Sequence, residues 1–277
     1  MLTLGTLKVD GFSLGGVETA VHVPELRLAI DVGRGRQQLV RCDHLALTHT
    51  HMDHAGGLPY LLALRMLYAM QPPVVYVPAQ MAGATEAMLR AWEGMQRYAF
   101  RSRVVACEPG DRYTIGRGVY LEPFRTYHPV PSNGYTIVRD TKKLRDELRG
   151  LDGPAIAALR AAGEPVDRME RRALLSVTGD TLPEVLDKQP HILESEALVL
   201  ECTFLDERKT VVDARAGGHV HLDELMPFAG AFRNKRLVLS HTSQLYNPDE
   251  VMPKLARFRE RLPASVELCA FPMVPRD

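Results

Sequence analysis

Thr48-His49-Thr50-His51-Met52-Asp53-His54 packs three imidazoles and a carboxylate into six residues, straight after the apolar run Leu45-Ala46-Leu47. Neutral imidazole is the commonest protein ligand for zinc-like ions, and carboxylate oxygen binds the same ions. Residues at i and i+2 of an extended chain point the same way, so His49 and His51 at a strand end can grip one ion. Asp53 and His54 come after the chain begins to turn. They aim elsewhere and can serve a second ion. Gly56 and Gly57 then let the backbone turn tightly into a helix starting at Leu58.

Working outward, short apolar runs of β type alternate with longer segments of helical spacing. Strands are expected at 26–32, 44–48, 74–77, 104–107, 119–124, 135–138, 174–178, 197–202, 237–240 and 266–269. Helices are expected over 58–70, with Pro59 tolerated in the first turn, and over 79–99, 222–232 and 248–261. On the second helix Met81, Ala84, Met88, Trp92 and Met95 recur at helical spacing and read as core. The alternation predicts an α/β fold, with one domain over residues 1–277. Between about 140 and 172, Gly and Pro interrupt a charged pattern that reads as a helical insert.

The composition is that of a globular chain. Its 277 residues are 45% hydrophobic and 25% charged, which excludes wholesale disorder. The formal net charge is +0, so no global field draws the chain to nucleic acid or membrane, and any polyanion site must be local. Cys42, Cys107, Cys202 and Cys269 lie far apart and read as free thiols in a reducing compartment. No signal peptide is legible at the N-terminus, and no apolar run approaches the ~18 residues of a membrane span. A cytoplasmic protein is the expectation. His22, His44 and His191 stand outside any motif and read as ordinary surface or core residues.

The pattern H-x-H-x-D-H resembles the signature of the metallo-β-lactamase superfamily, and later landmarks resemble ribonuclease Z and its relatives. His128, in Tyr127-His128-Pro129-Val130-Pro131-Ser132-Asn133-Gly134-Tyr135, matches the family's third metal histidine and the Ser-x-Gly-Tyr after it. Asp180, in Thr178-Gly179-Asp180-Thr181, matches the bridging aspartate, and His241, in Ser240-His241-Thr242, the last metal histidine. Leu200-Glu201-Cys202-Thr203-Phe204 is similar to the family's His-Glu-Ala-Thr-Phe loop. Gly218-His219-Val220-His221 stands where the family has Gly-His-Ser-Thr. Asp31 resembles an aspartate that orients a ligand histidine, although a turn residue is an equal reading.

The resemblance implies a four-layer αββα sandwich and two divalent ions, zinc or else manganese or iron. His49, His51 and His128 would hold the first ion, and Asp53, His54 and His241 the second, with Asp180 between them. Two such ions acidify a shared water for attack at phosphorus. Asp53 would orient that water, and Glu201 with His219 would return a proton to the leaving oxygen. His219 fits the relay better than His221 by its distance from His241, which leaves His221 as a phosphate contact or substitute. Ser132 and Asn133 are either phosphate contacts or turn residues. The implied substrate is RNA or a small phosphodiester. A thioester or lactone hydrolase and a non-catalytic RNA-binding protein are the alternatives. The family grips its substrate with a protruding arm and often forms homodimers. Here the corresponding interval is short and only mildly basic, with nine Lys/Arg against seven Asp/Glu from Arg139 to Arg172.

Overall fold

Alternating large apolar side chains on the central strands dictate a layered arrangement: Leu45 and Leu47 flank Ala46, Leu198 and Leu200 flank Val199, and Leu237 and Leu239 flank Val238. Each strand must therefore bury both faces. The computed structural model describes residues 2–4 and 6–272 and resolves this demand as two seven-stranded mixed sheets. The first sheet has the spatial order β1 (Leu2–Leu4), β2 (Leu7–Leu14), β3 (Glu18–Val23), β4 (Leu28–Ile30), β5 (His44–Ala46), β6 (Val74–Pro78), β7 (Arg103–Cys107). Strands β1 to β4 pair antiparallel and β4 to β7 parallel. Helices α1 (Met52–Ala55), α2 (Leu58–Leu67) and α3 (Ala82–Gln96) accompany it.

The second sheet comprises β8 (Tyr113–Gly116), β9 (Val119–Arg125), β10 (Asn133–Leu144), β11 (Asp167–Val177), β12 (Ala197–Glu201), β13 (Arg236–Ser240) and β14 (Glu267–Ala270), antiparallel from β8 to β11 and parallel from β11 to β14. Its helices are α4 (Gly153–Ala161), α5 (Glu184–Lys188), α6 (Val211–Ala216), α7 (Leu222–Leu225) and α8 (Pro248–Arg259).

Three apolar clusters define the layers. Val21, Ile30 and Ala46 of the first sheet meet Ile137, Leu175 and Val199 of the second between the sheets. Leu58, Leu61 and Leu62 of α2 cover Leu45 and Val75 outside. On the other side, Leu222, Leu255 and Phe258 cover Leu198 and Leu237. This is the expected αββα sandwich.

Three expectations need correction. Trp92 and Met95 are not core: they are 47% and 65% exposed, and α3 buries only Thr85 and Leu89. The helical spacing was real, but the helix lies at the rim and turns its sulfur and indole face outward. The segment 140–172 is mostly a twisted two-stranded ribbon, not a helical insert. Strands β10 and β11 pair from Tyr135↔Val177 out to Leu144↔Asp167, and only α4 at the tip is helical. The strands β1, β2, β3 and β8 had no counterpart in the sequence reading.

Candidate metal centre

The candidate ligand residues sit where strands of both sheets end. Residues 49–54 run from the end of β5 into α1, His128 lies between β9 and β10, Asp180 follows β11 and His241 follows β13. Among the described residues three groups can hold an ion: His49, His51, His128 and Asp180; Asp53, His54 and His241; and Asp180, His219 and His241.

Hydrogen bonds fix the tautomers. Thr48 Oγ1 donates to Asp31 Oδ2 (2.8 Å), and so accepts from His49 Nδ1 (3.0 Å). His54 Nδ1 donates to Asp31 Oδ2 (2.8 Å), and His128 Nδ1 donates to the Gly218 carbonyl (3.0 Å). Thr203 Oγ1 donates to Glu201 Oε2 (2.7 Å) and accepts from His241 Nδ1 (3.0 Å). With Nδ1–H committed on all four rings, each Nε2 faces inward and becomes a ligand lone pair once it carries no proton, the arrangement that metal-ligating histidines adopt.

The remaining atoms fit divalent ions. His49 Nε2, His54 Nε2 and Asp180 Oδ1 are buried and have no hydrogen-bond partner, an arrangement that costs free energy unless something binds between them. His54 Nε2 lies 3.3 Å from Asp180 Oδ1 and 3.5 Å from Asp53 Oδ2. His241 Nε2 is 3.3 Å from both Asp53 Oδ2 and Asp180 Oδ2, and His128 Nε2 is 3.3 Å from His51 Nδ1. A tetrahedral ion with nitrogen and oxygen ligands at ~2.0–2.1 Å has ligand–ligand edges of ~3.3–3.4 Å. The observed spacings match those edges.

Charge follows the same design. Burial raises the Asp180 carboxyl, yet the His241, His54 and His49 rings outweigh it and hold the group well below the carboxylate range. Burial would likewise depress His54, but Asp180 and Asp31 hold it well above the usual imidazole value. A metal taking His54 must therefore displace a proton. His49, buried beside His54, is held well below the usual value.

Beside the ligands sits a second pair. His219 Nδ1 donates to Glu201 Oε1 (3.1 Å), while the Thr181 backbone N–H and Thr203 Oγ1 occupy the rest of that buried carboxylate. Burial works against the charged ring, but the Glu201 hydrogen bond and charge, with Asp180, push His219 up to about 9. Its ring stacks on His241 with centroids 5.0 Å apart.

Two expected contacts fall away. His221 is buried with both ring nitrogens engaged. Nδ1 accepts from the Asp223 backbone N–H (3.1 Å) and Nε2 donates to the Asp206 carbonyl (3.1 Å). It caps α7, a place usually filled by Ser, Thr, Asp or Asn. Asn133 is buried, donating its side chain to the Cys107 carbonyl and its N–H to the Thr48 carbonyl. Both are structural and offer nothing to phosphate. Ser132 Oγ accepts from Thr126 Oγ1 (2.7 Å).

Two glycines explain how the ligands crowd together. Gly179 has φ +62°, and a Cβ there would lie 2.5 Å from Thr48 Cβ. Gly218 has φ +78°, and a Cβ there would lie 2.2 Å from Pro129 Cδ.

Sequence reasoning overlooked several supports. Ser13 Oγ accepts the His241 N–H (2.8 Å), holding a residue at φ +60° that costs ~1–3 kcal/mol to maintain. The Gly16 N–H donates to Asp53 Oδ2 (2.9 Å). The Gly15-Gly16 pair between two strands was a usable signal. Ser13 carried none, and Thr203 was visible only as part of the Glu201 loop. Asp31 does orient His54, and takes the Thr48 N–H (2.7 Å) as well.

With this geometry in hand, relatives decide the family. The tRNase Z TRZ1 of Arabidopsis thaliana is 34% identical over 245 residues, covering 88% of this chain and 88% of that protein. The chain belongs to the ribonuclease Z family. It is accordingly a metal-dependent phosphodiesterase of the ribonuclease Z type. The chloroplastic tRNase Z TRZ2 of the same plant is 32% identical over 265 residues, covering 95% of the chain and 75% of that protein. No family model matches. Among solved structures, the short form of human tRNase Z (ELAC1) superposes with a TM-score of 0.60 at 19% identity, covering 96% of both chains. The metallo-β-lactamase fold protein YhfI of Bacillus subtilis gives 0.63 at 17% identity, covering 95% of both. These likenesses bear on the fold, which is that of the metallo-β-lactamases.

Proposed function

We propose that this ribonuclease Z-type enzyme removes the 3′ extension of precursor transfer RNA with two zinc ions. His49, His51 and His128 hold the first ion, Asp53, His54 and His241 the second, and Asp180 lies between them. The observation that carries the reading is the convergence of inward Nε2 lone pairs and carboxylate oxygens at tetrahedral-edge spacings of 3.3–3.6 Å. When bound, such ions acidify water and neutralise charge on phosphoryl oxygens. Asp53, anchored by the Gly16 N–H, has a fixed carboxylate with which to orient the attacking water and accept its proton. His219, kept charged by Glu201, donates a proton to the leaving oxygen.

The ribbon of β10 and β11 with α4 serves as the substrate arm in this reading. Most of its cations are matched: Lys143 pairs with Glu170, Arg145 with Glu147, Arg160 with Asp167, Arg171 with Glu122 and Arg172 with Glu196. Such an arm positions RNA through shape more than through net charge, with a shallow salt dependence. A second copy of the chain is the natural cover for the outward apolar residues of α1 to α3 and the turn after α3, namely Met52, Tyr60, Leu67, Trp92, Met95 and Tyr98. Four free cysteines suit the reducing cytoplasm, and no helix among the described residues is long and apolar enough to cross a membrane.

The test is trailer removal from a precursor transfer RNA by the zinc-loaded protein, beside bis(p-nitrophenyl) phosphate and a thioester. Cleavage at the trailer junction that disappears in Asp180→Ala supports the reading. Turnover of the small diester without any action on the precursor would refute the substrate assignment, and thioester turnover alone would refute the chemistry.

A further inference from the structure

Beyond the ligands and the relay, one partly exposed aromatic ring stands beside His219 and does not belong to the apolar clusters. Phe204 meets the His219 ring nearly perpendicular (77°), with centroids 6.4 Å apart. Its backbone is rigid. The N–H donates to the Val220 carbonyl (3.3 Å), the carbonyl accepts from Leu222 (2.8 Å), and the residue bridges to His221. The Lys209 ammonium lies 5.9 Å from the Phe204 ring centroid. Its neighbours are committed: Arg208 bonds Asp206, Glu250 and the Leu245 carbonyl, and Lys254 pairs with Asp206. Among the described residues Lys209 has no carboxylate partner.

We infer that Phe204 and Lys209 form a subsite for the nucleotide that carries the leaving oxygen, its base stacked on the Phe204 ring and its neighbouring phosphate facing Lys209. The argument rests on the phosphodiesterase reading above, in which His219 protonates that oxygen. The fragment attached to the oxygen must lie on the His219 side of the scissile phosphate. The surface it meets there is a rigid aromatic ring beside an unpaired cation. Ring plus cation is the combination that holds single-stranded nucleic acid without demanding one base, because every base has a stacking face. The subsite therefore sets tolerance for base identity at the cut while requiring that a base be present.

Two precursor RNAs test this, one natural and one abasic at the nucleotide whose hydroxyl is freed by cleavage, identified from the products. The zinc-loaded chain should cleave the natural RNA with kcat/KM about tenfold above the abasic one. In Phe204→Leu that ratio should collapse toward one, and Phe204→Tyr should restore it. An abasic site on the other side of the scissile phosphate should produce a ratio that Phe204→Leu leaves unaltered. Lys209→Met should lower the slope of log KM against log salt by about one phosphate contact. Zinc content measured on each variant separates local loss from misfolding. If Phe204→Leu depresses both RNAs equally, or Lys209→Met leaves the salt slope unchanged, the subsite is refuted while the phosphodiesterase reading stands. If the wild-type protein cleaves neither RNA, the reading of function falls and the subsite falls with it.

Discussion

Replacing Glu201 by Gln should move the enzyme's working range toward acid pH. The isosteric amide keeps the shape of the buried side chain but removes the charge beside His219 Nδ1, 3.1 Å away. That charge and hydrogen bond outweigh burial and push the imidazole from its ordinary 6.5 up to about 9. The difference corresponds to about 3 kcal/mol. At pH 8 a ring titrating near 9 is about nine-tenths protonated, whereas one at 6.5 is about 3% protonated, so a general acid would lose about 30-fold. At pH 6 both rings are largely charged and the loss should be small. The assay is kcat over pH 6 to 10 on precursor RNA at saturating zinc. The descending limb should lie at higher pH in the natural chain and shift toward neutrality in Glu201→Gln. The same raised value stabilises the fold fully below pH 6.5, and that contribution fades as pH climbs through about 9. A loss in Glu201→Gln that stays constant across the whole pH range would refute the assignment of His219 as the proton donor.

Asp31→Asn should weaken metal binding by about 10–100-fold, read by competition with a chromogenic chelator, because the His54 ring loses the carboxylate that orients it and Thr48, which holds His49, loses the same acceptor. Gly179→Ala should destabilise the fold by about 2–5 kcal/mol in denaturant melts, since φ +62° strains an L side chain and the new methyl would meet Thr48. Chelation should lower the melting temperature by several degrees and zinc should restore it, because the ions bind only the folded chain. An unchanged melt after verified metal removal would mean that the inward-facing lone pairs do not converge on ions.

Much of this molecule could be read from the chain because buried parallel strands leave a plain imprint. His44–Ala46, Val74–Pro78, Ala197–Glu201 and Arg236–Ser240 are short apolar runs with both faces covered. The candidate metal ligands were legible because a first cluster of four is so dense, and because the later candidates carry local motifs. The outer half of the ribbon was not. From Arg139 to Leu144 the strand has no buried face, so it lacks the apolar alternation that marks a strand, and its charges mimic a solvated helix. The first strands failed for a different reason: Asp10 and Gly11 interrupt β2, where Gly11 sits at φ +136°. His221 misled because adjacency to His219 in sequence says nothing about direction. Two residues on, the ring turns into the start of α7 and becomes a cap. Trp92 misled because periodicity reports an amphipathic helix without saying whether its apolar stripe meets the protein's own interior or another surface.

The division of the chain into two sheets has a further consequence. Strands β1 to β7 end at Cys107 and strands β8 to β14 begin at Tyr113, so the first sheet delivers His49, His51, Asp53 and His54 while the second delivers His128, Asp180 and His241. Neither half possesses a finished cage. A chain nicked between 107 and 113 would leave two fragments that share an apolar seam, and any ion held by residues of both would act as a rivet across it. Loading metal would thus also be an act of fastening, because the site is complete only where its two halves are clasped in register.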